Sequence, residues 1–342
     1  MLQVNNPTPF KASTMLLPDR HGVDTVVTVV KGTFEVGDSL GLAPEQVALT
    51  LADEYHGEPG ASSIRVPSDV SIEKVGTDVV VLGTAWAPDD QPTWQMDVSM
   101  AVGPLAKTVR VFGDRVWDVT GGASRVSWVA PFTRIPLVWE RAFGGSDVTD
   151  KGPTAEPRNP VGMGFRVPNG TKPIAGMALP NIEDPNALIG SWSDAPAPAG
   201  FAPVAPHWLP RRSFAGTYDE AWQNNRSPYL PLDFDPRFCQ IAPVGLVATR
   251  HLEGGEPVTL SGMTLAGVLR FTLPALRVGM AHWLDTGVEE RPGLLDTIII
   301  EPDARRLVMV WRAILPCDKK TLKVREIEIA VESSGVPEVA AA

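Results

Sequence analysis

The sequence predicts a mainly β protein. Its expected form is antiparallel, sandwich- or barrel-like sheets in two β regions, with a long Pro/aromatic-rich irregular insert and few short helices. Three observations predict this class. Runs dense in β-branched residues recur at short spacing, with tight-turn residues between them. Proline supplies 33 of 342 residues, about twice its usual share, and interior proline breaks helices. No long amphipathic stretch interrupts the strand-like runs, which argues against a doubly wound α/β fold.

The N-terminal β region spans residues 1–140. Residues 25–36 (TVVTVVKGTFEV) and 78–87 (DVVVLGTAWA) are rich in valine and threonine and read as strands. Trp94, Met96, Val98, Met100 and Val102 recur every second residue, so one strand face carries them all. Strands over 105–112, 115–119 and 124–129 follow. Turn signals at 87–90, 103–104, 113–114 and 121–122 separate them.

Residues 141–236 differ. They hold 15 of the 33 prolines, a density that regular ladders do not tolerate. They also keep Phe143, Phe165, Trp192, Phe201, Trp208, Phe214, Tyr218, Trp222, Tyr229 and Phe234. Aromatic residues are depleted in disordered chains, so an ordered irregular region laid over the sheets is expected. One short helix is predicted around 218–223, and 194–206 (DAPAPAGFAPVAP) is expected to be the most mobile stretch. The C-terminal β region spans 237–333, with strands over 258–260, 267–273, 295–300, 307–315 and 321–331. Leu322 and Val324 share one parity while Ile327, Ile329 and Val331 share the other, so a bulge is expected near Arg325-Glu326. Residues 334–342 read as a disordered tail.

A formal charge of -10 with no Lys/Arg run longer than two argues against nucleic-acid binding. No apolar run reaches about 18 residues, so no membrane insertion is expected. The N-terminus lacks a signal-peptide pattern, and the two cysteines read as reduced thiols, so a cytoplasmic protein is expected.

The chemistry-bearing residues form no recognised catalytic or metal motif. The five histidines lack metal-motif spacing, and there is no GxSxG, P-loop or GxGxxG. No cofactor and no enzymatic activity are expected. Asp233 and Asp235 make a DxD pair that reads as a turn device. It would also suit a divalent cation, in the alternative of a metal-dependent hydrolase built from distant loops. Asp147, Asp150 and Glu156 read as a solvated acidic cluster. Arg141, Arg158, Arg211, Arg226 and Arg237 accompany the aromatics of the middle region, a combination that either knits loops to sheets or lines a recognition surface.

An ordered series of motifs adds a resemblance. It opens with Asn6-Pro7-Thr8-Pro9-Phe10, Lys31-Gly32-Thr33-Phe34, Ser68-Asp69, Lys74 and Thr77-Asp78. Val111-Phe112-Gly113-Asp114-Arg115-Val116-Trp117 and Arg141-Ala142-Phe143-Gly144-Gly145 come next. The densest matches are Asn159-Pro160-Val161-Gly162-Met163-Gly164-Phe165, Leu179-Pro180-Asn181-Ile182-Glu183, Trp208-Leu209-Pro210-Arg211 and Gly216-Thr217-Tyr218-Asp219-Glu220-Ala221-Trp222. Arg226, Asp233, Asp235 and Trp311-Arg312 close the series. It resembles a bacterial domain-of-unknown-function family encoded beside type VI secretion spike-tip (PAAR-type) and toxin genes. The resemblance implies a non-enzymatic effector adaptor or chaperone. Its partners would be a toxin and a PAAR-type protein, and a structural component of the injection particle is the other non-enzymatic alternative.

Overall fold

The computed structural model describes residues 2–37, 39–318 and 323–333. The expected tail over 334–342 lies outside the described residues. The chain is mainly β, with two principal sheets and five two-stranded pairs.

The larger sheet has nine strands. Its path runs Gln3–Asn5, Val324–Ser333, Leu276–Leu284, Gly287–Glu301, Arg306–Pro316, Asp24–Val36, Lys11–Pro18. Leu40–Leu42 adds to Asp24–Val36, and Asp78–Val81 adds to Gly287–Glu301. Two pairings are parallel, those of Gln3–Asn5 and of Asp78–Val81, so this sheet is mixed rather than purely antiparallel. The smaller sheet is antiparallel throughout: Ile182–Glu183, Leu105–Phe112, Gln95–Val102, Pro257–Ser261, Val268–Thr272.

Chain connectivity forces the larger sheet to curl. Gln3–Asn5 and Lys11–Pro18 lie at opposite ends of the strand path, yet only residues 6–10 join them. Laid flat, the seven strands of the path would set these edges roughly 29 Å apart, at about 4.8 Å per strand. Six peptide steps reach only about 20 Å. The linking NPTPF segment is a built corner. Asn6 Oδ1 accepts from the Thr8 amide and hydroxyl, and Asn6 Nδ2 donates to the Phe10 carbonyl. Buried Phe10 then stacks on Trp311 at 5.8 Å and meets Phe34 edge-on. A Cβ on Gly32 would sit 3.0 Å from the Phe10 ring, so glycine makes room for the corner.

The expected strand over 78–87 is two strands. Asp78–Val81 joins the large sheet, whereas Thr84–Trp86 pairs with Arg134–Pro136. The break falls at Gly83, where a Cβ would meet Pro302 at 2.8 Å. The bulge expected near Arg325-Glu326 is present: Trp283 faces Glu326, Leu284 faces Val324, and Arg325 is the extra residue. Leu322 lies outside the described residues. Along Gln95–Val102, Val98, Met100 and Val102 are buried as the alternation requires, but Trp94 lies before the strand and is exposed.

One apolar cluster takes side chains from both sheets, including Val30, Val80, Val98, Val109, Leu260, Ile299 and Trp311. The proline-rich middle contributes to the same core. Ala199, Phe201, Ala202, Val204, Ala205 and Trp208 are all buried in it. Residues 194–206 are therefore not the loose stretch that their composition suggests. The Phe201 carbonyl accepts from the Val81 amide, and the Val204 amide donates to Ile241, which ties the segment to the scaffold.

Buried ion pairs cross this core. Lys31 meets Asp69 at 2.8 Å, Lys74 meets Asp78 at 2.7 Å, and Arg312 meets Asp296 at 2.5 Å. Each pair has further partners. Asp78 accepts from the Ile241 and Ala242 amides, and Arg312 donates to the Asp69 and Ser71 carbonyls. Such pairs contribute little net stability but are costly to break singly.

Candidate functional site

The site residues named from the sequence separate by burial into two groups. The first is structural. Phe143, Gly144, Gly145, Asn159, Trp208 and Arg211 are buried, and Arg141, Pro160, Gly162, Gly164 and Phe165 are half-buried. Asn159 donates to the carbonyls of Trp139 and Phe143 at 2.8 and 3.0 Å. A Cβ on Gly144 would fall 2.1 Å from the Asn159 carbonyl oxygen, and one on Gly162 would fall 2.5 Å from that of Ala142. These glycines and Asn159 interlock two backbone segments. Arg141 donates to Asn181 at 3.0 Å, and Asn181 donates onward to the Phe112 carbonyl. Trp208 is fully buried edge-on to Trp139 at 6.2 Å. Arg211 donates to the carbonyls of Val204 and Phe238, and burial holds its pKa below the usual arginine value. Asp147 and Glu156 are buried too, which corrects their reading as a solvated cluster. Asp147 accepts from the amides of Val148, Val167 and Lys172, and Glu156 holds Arg158 through both oxygens. Three backbone amides at Asp147 and the Arg158 guanidinium at Glu156 make burial of the two carboxylates feasible.

The second group forms a protruding module over residues 211–239. Gly216 turns the chain at φ +82°, and a Cβ there would approach Pro231 at 2.8 Å. Both Asp233 oxygens receive Thr217, one from its amide at 3.0 Å and one from its hydroxyl at 2.7 Å. Those two bonds hold the Asp233 carboxyl below its usual pKa. Asp219 caps the helix Glu220–Asn225 by accepting from the Trp222 amide at 2.8 Å. The helix lies two residues beyond the expected 218–223. Trp222 Nε1 donates to the Tyr229 carbonyl, closing the module on itself. Arg226 anchors it: Nε donates to Leu230, and the guanidinium reaches the Arg20 carbonyl at 2.8 Å. Asp235 pairs with Arg237, which lowers the Asp235 pKa, and accepts from the Arg237 amide. Both DxD carboxylates thus bond to protein donors, as the turn reading requires.

Most of the module's exposed residues are polar, but three large side chains with apolar bodies stand among them. Leu232 is 86% exposed, Tyr218 54% and Tyr229 38%. Tyr218 packs edge-on against Trp222 at 4.7 Å, so the two rings are held in place. Rigid aromatic side chains on an ordered loop offer contact area at low entropic cost. Sequence reading named Tyr218, Trp222 and Arg226 as site candidates, counted Tyr229 only among the loop-anchoring aromatics, and did not single out Leu232. Leu232 sits beside Asp233 in a turn, where an apolar residue without a buried face was the available signal. It also missed the buried Arg115–Glu183 pair, whose partners are far apart in sequence.

Among the described residues, no group of three or more His, Cys, Asp or Glu side chains is placed to hold a metal ion, and no helix is long and apolar enough to cross a membrane. Cys317 is buried and Cys239 half-buried, and both are free thiols. No curated protein and no solved structure gives a significant match to the chain. A family model does match, over residues 21–312, and it is described as an uncharacterized protein conserved in bacteria. That span takes in the smaller sheet, the central strands of the larger one, the interlocked glycines and the exposed module, while Gln3–Asn5, Lys11–Pro18 and Val324–Ser333 lie outside it, and the chain accordingly belongs to the bacterial DUF2169 family.

Proposed function

We propose that this protein is an adaptor or chaperone for a type VI secretion effector. It binds the toxin in the cytoplasm of the producing cell and presents it to a PAAR-type spike-tip protein. The motif series described above suggests this class of partner. The observation that carries a binding role is the module over 211–239, which is ordered by its own hydrogen bonds yet exposes Tyr218, Tyr229 and Leu232. Large aromatic and apolar side chains left exposed on an ordered loop are a usual feature of interaction sites. An interface of about 1,200–2,000 Å² centred there would bury these anchors.

Co-expression with the effector encoded alongside tests the proposal. The wild-type chain should co-purify with the toxin, and the double variant Tyr218→Ala/Leu232→Ser should not. Equal recovery of the toxin with both would contradict the site. Failure of the wild-type chain to retain the toxin or raise its solubility would contradict the adaptor role.

A further inference from the structure

The curled sheet has a second outward surface, remote in sequence from the exposed module. It is built by Gln3–Asn5, Val324–Ser333, Leu276–Leu284 and residues 287–293. Burial alternates along Leu276–Leu284, and beyond the bulge at Arg325 the paired strand Val324–Ser333 follows it. Leu276, Val278, Met280, His282, Ile327 and Ile329 point inward and are buried. Their neighbours point out, and register fixes which of them adjoin. Trp283 lies between Val288 and Glu326, and Ala281 lies between Glu290 and Glu328. Gly279 lies between Pro292 and Ala330, and a Cβ there would meet nothing within 4 Å. No other element covers this surface among the described residues.

Its chemistry is mainly acidic, with Arg277, beside Glu332, a cation in the same outward row. Trp283 is 45% exposed and Val288 43%. Glu290, Glu326 and Glu328 surround them, and none of the three has an ion pair or side-chain hydrogen bond among the described residues. The exposed carboxylates of the adjoining turn and strand are already matched, Asp285 by Arg325 and Glu289 by Arg291. Like charges on neighbouring strands do not stabilise a sheet. The small residues Gly279 and Ala281 leave a shallow floor, on which an aromatic ring and three carboxylates all favour cations. The chain's overall charge of -10 adds long-range attraction of the same sign.

We propose that this sheet face docks a basic protein segment, with an Arg or Lys side chain over the Trp283 indole and its neighbours paired to Glu290, Glu326 and Glu328. The surface is separate from the module over 211–239, so either binding role can fail without the other.

Fluorescence anisotropy with a labelled synthetic peptide of alternating Arg and Gly tests it at low and high salt. The wild-type chain should bind, and more weakly as salt rises. The triple variant Glu290→Gln/Glu326→Gln/Glu328→Gln should bind about tenfold more weakly, and Trp283→Ala should also lose affinity, each with an unchanged melting temperature. A charge-matched control, Glu45→Gln/Glu58→Gln/Glu253→Gln, should bind as wild type. Equal weakening by the control would reduce the effect to bulk charge and overturn the site. So would no binding by the wild-type chain, or full binding by the triple variant.

Discussion

At the scale of single residues, most motif positions act through burial. Lys31 and Asp69 are almost wholly buried and pair with each other, while Asp69 also accepts from the Thr50 amide. Lys31→Met should cost about 3–5 kcal/mol, because it leaves a buried carboxylate without its cation. Lys31→Met/Asp69→Asn should cost less than the sum of the two single changes, and a double-mutant cycle by urea denaturation measures the difference. His282 is buried beside Thr28, with Arg291 and Glu289 facing it, and burial pushes its pKa down. Above about pH 6.5 the ring is neutral both folded and unfolded and contributes no pH dependence. Below that, the unfolded chain takes the proton more readily, so stability falls as pH drops from about 6.5 toward the lowered folded value. His207 and His251 are lowered by burial as well and add to the same slope. His282→Gln should therefore flatten the slope of unfolding free energy across that window, and an unchanged slope would refute the assignment. None of these pairings was legible in the sequence. Lys31 and Asp69 stood out only as motif letters, and the buried carboxylate Asp147 looked solvated because Val167 and Lys172, whose amides donate to it, come from elsewhere in the chain.

At the scale of elements, the valine-rich central strands were legible because burial on both faces leaves a continuous apolar run. Asp24–Val36 and Arg306–Pro316 were found within about a residue at each end. Leu276–Leu284 was not, since a buried histidine occupies one of its inward positions and Gly279 one of its outward ones. Lys11–Pro18 is an edge strand, half-exposed along its length, and its weak pattern hid it. Its register is fixed by the corner at residues 6–10. Phe10→Ala should cost about 3–5 kcal/mol by emptying the space against Phe34 and Trp311. Gly32→Ala should cost about 1–3 kcal/mol by crowding the same ring. Pairing Phe10→Ala with Gly32→Ala should recover part of the loss, and thermal denaturation of the three variants decides the point. Strict additivity would mean that the two positions do not share one space.

At the scale of the whole molecule, sequence order and spatial order part company. Strands from both ends of the chain join in both sheets, and the proline-rich middle fills part of the core that they share. Composition alone located that middle region and its aromatics. It could not tell which aromatics face inward, because that depends on contacts such as Trp208 with Trp139 and Phe201 with the Val81 strand. Residues Ala199 to Trp208 serve the core, whereas in 212–239 only Pro231 and Phe234 are buried, and the proposed effector surface is assigned to that stretch. Substitutions at Tyr218 and Leu232 should therefore leave the fold intact, within about 0.5 kcal/mol of wild type. The most direct measurement is calorimetric titration of the purified effector into wild-type protein and into Tyr218→Ala/Leu232→Ser, alongside their melting temperatures. The account predicts binding that falls at least about tenfold in the variant, with melting unchanged. Undiminished binding by the stably folded variant would contradict it.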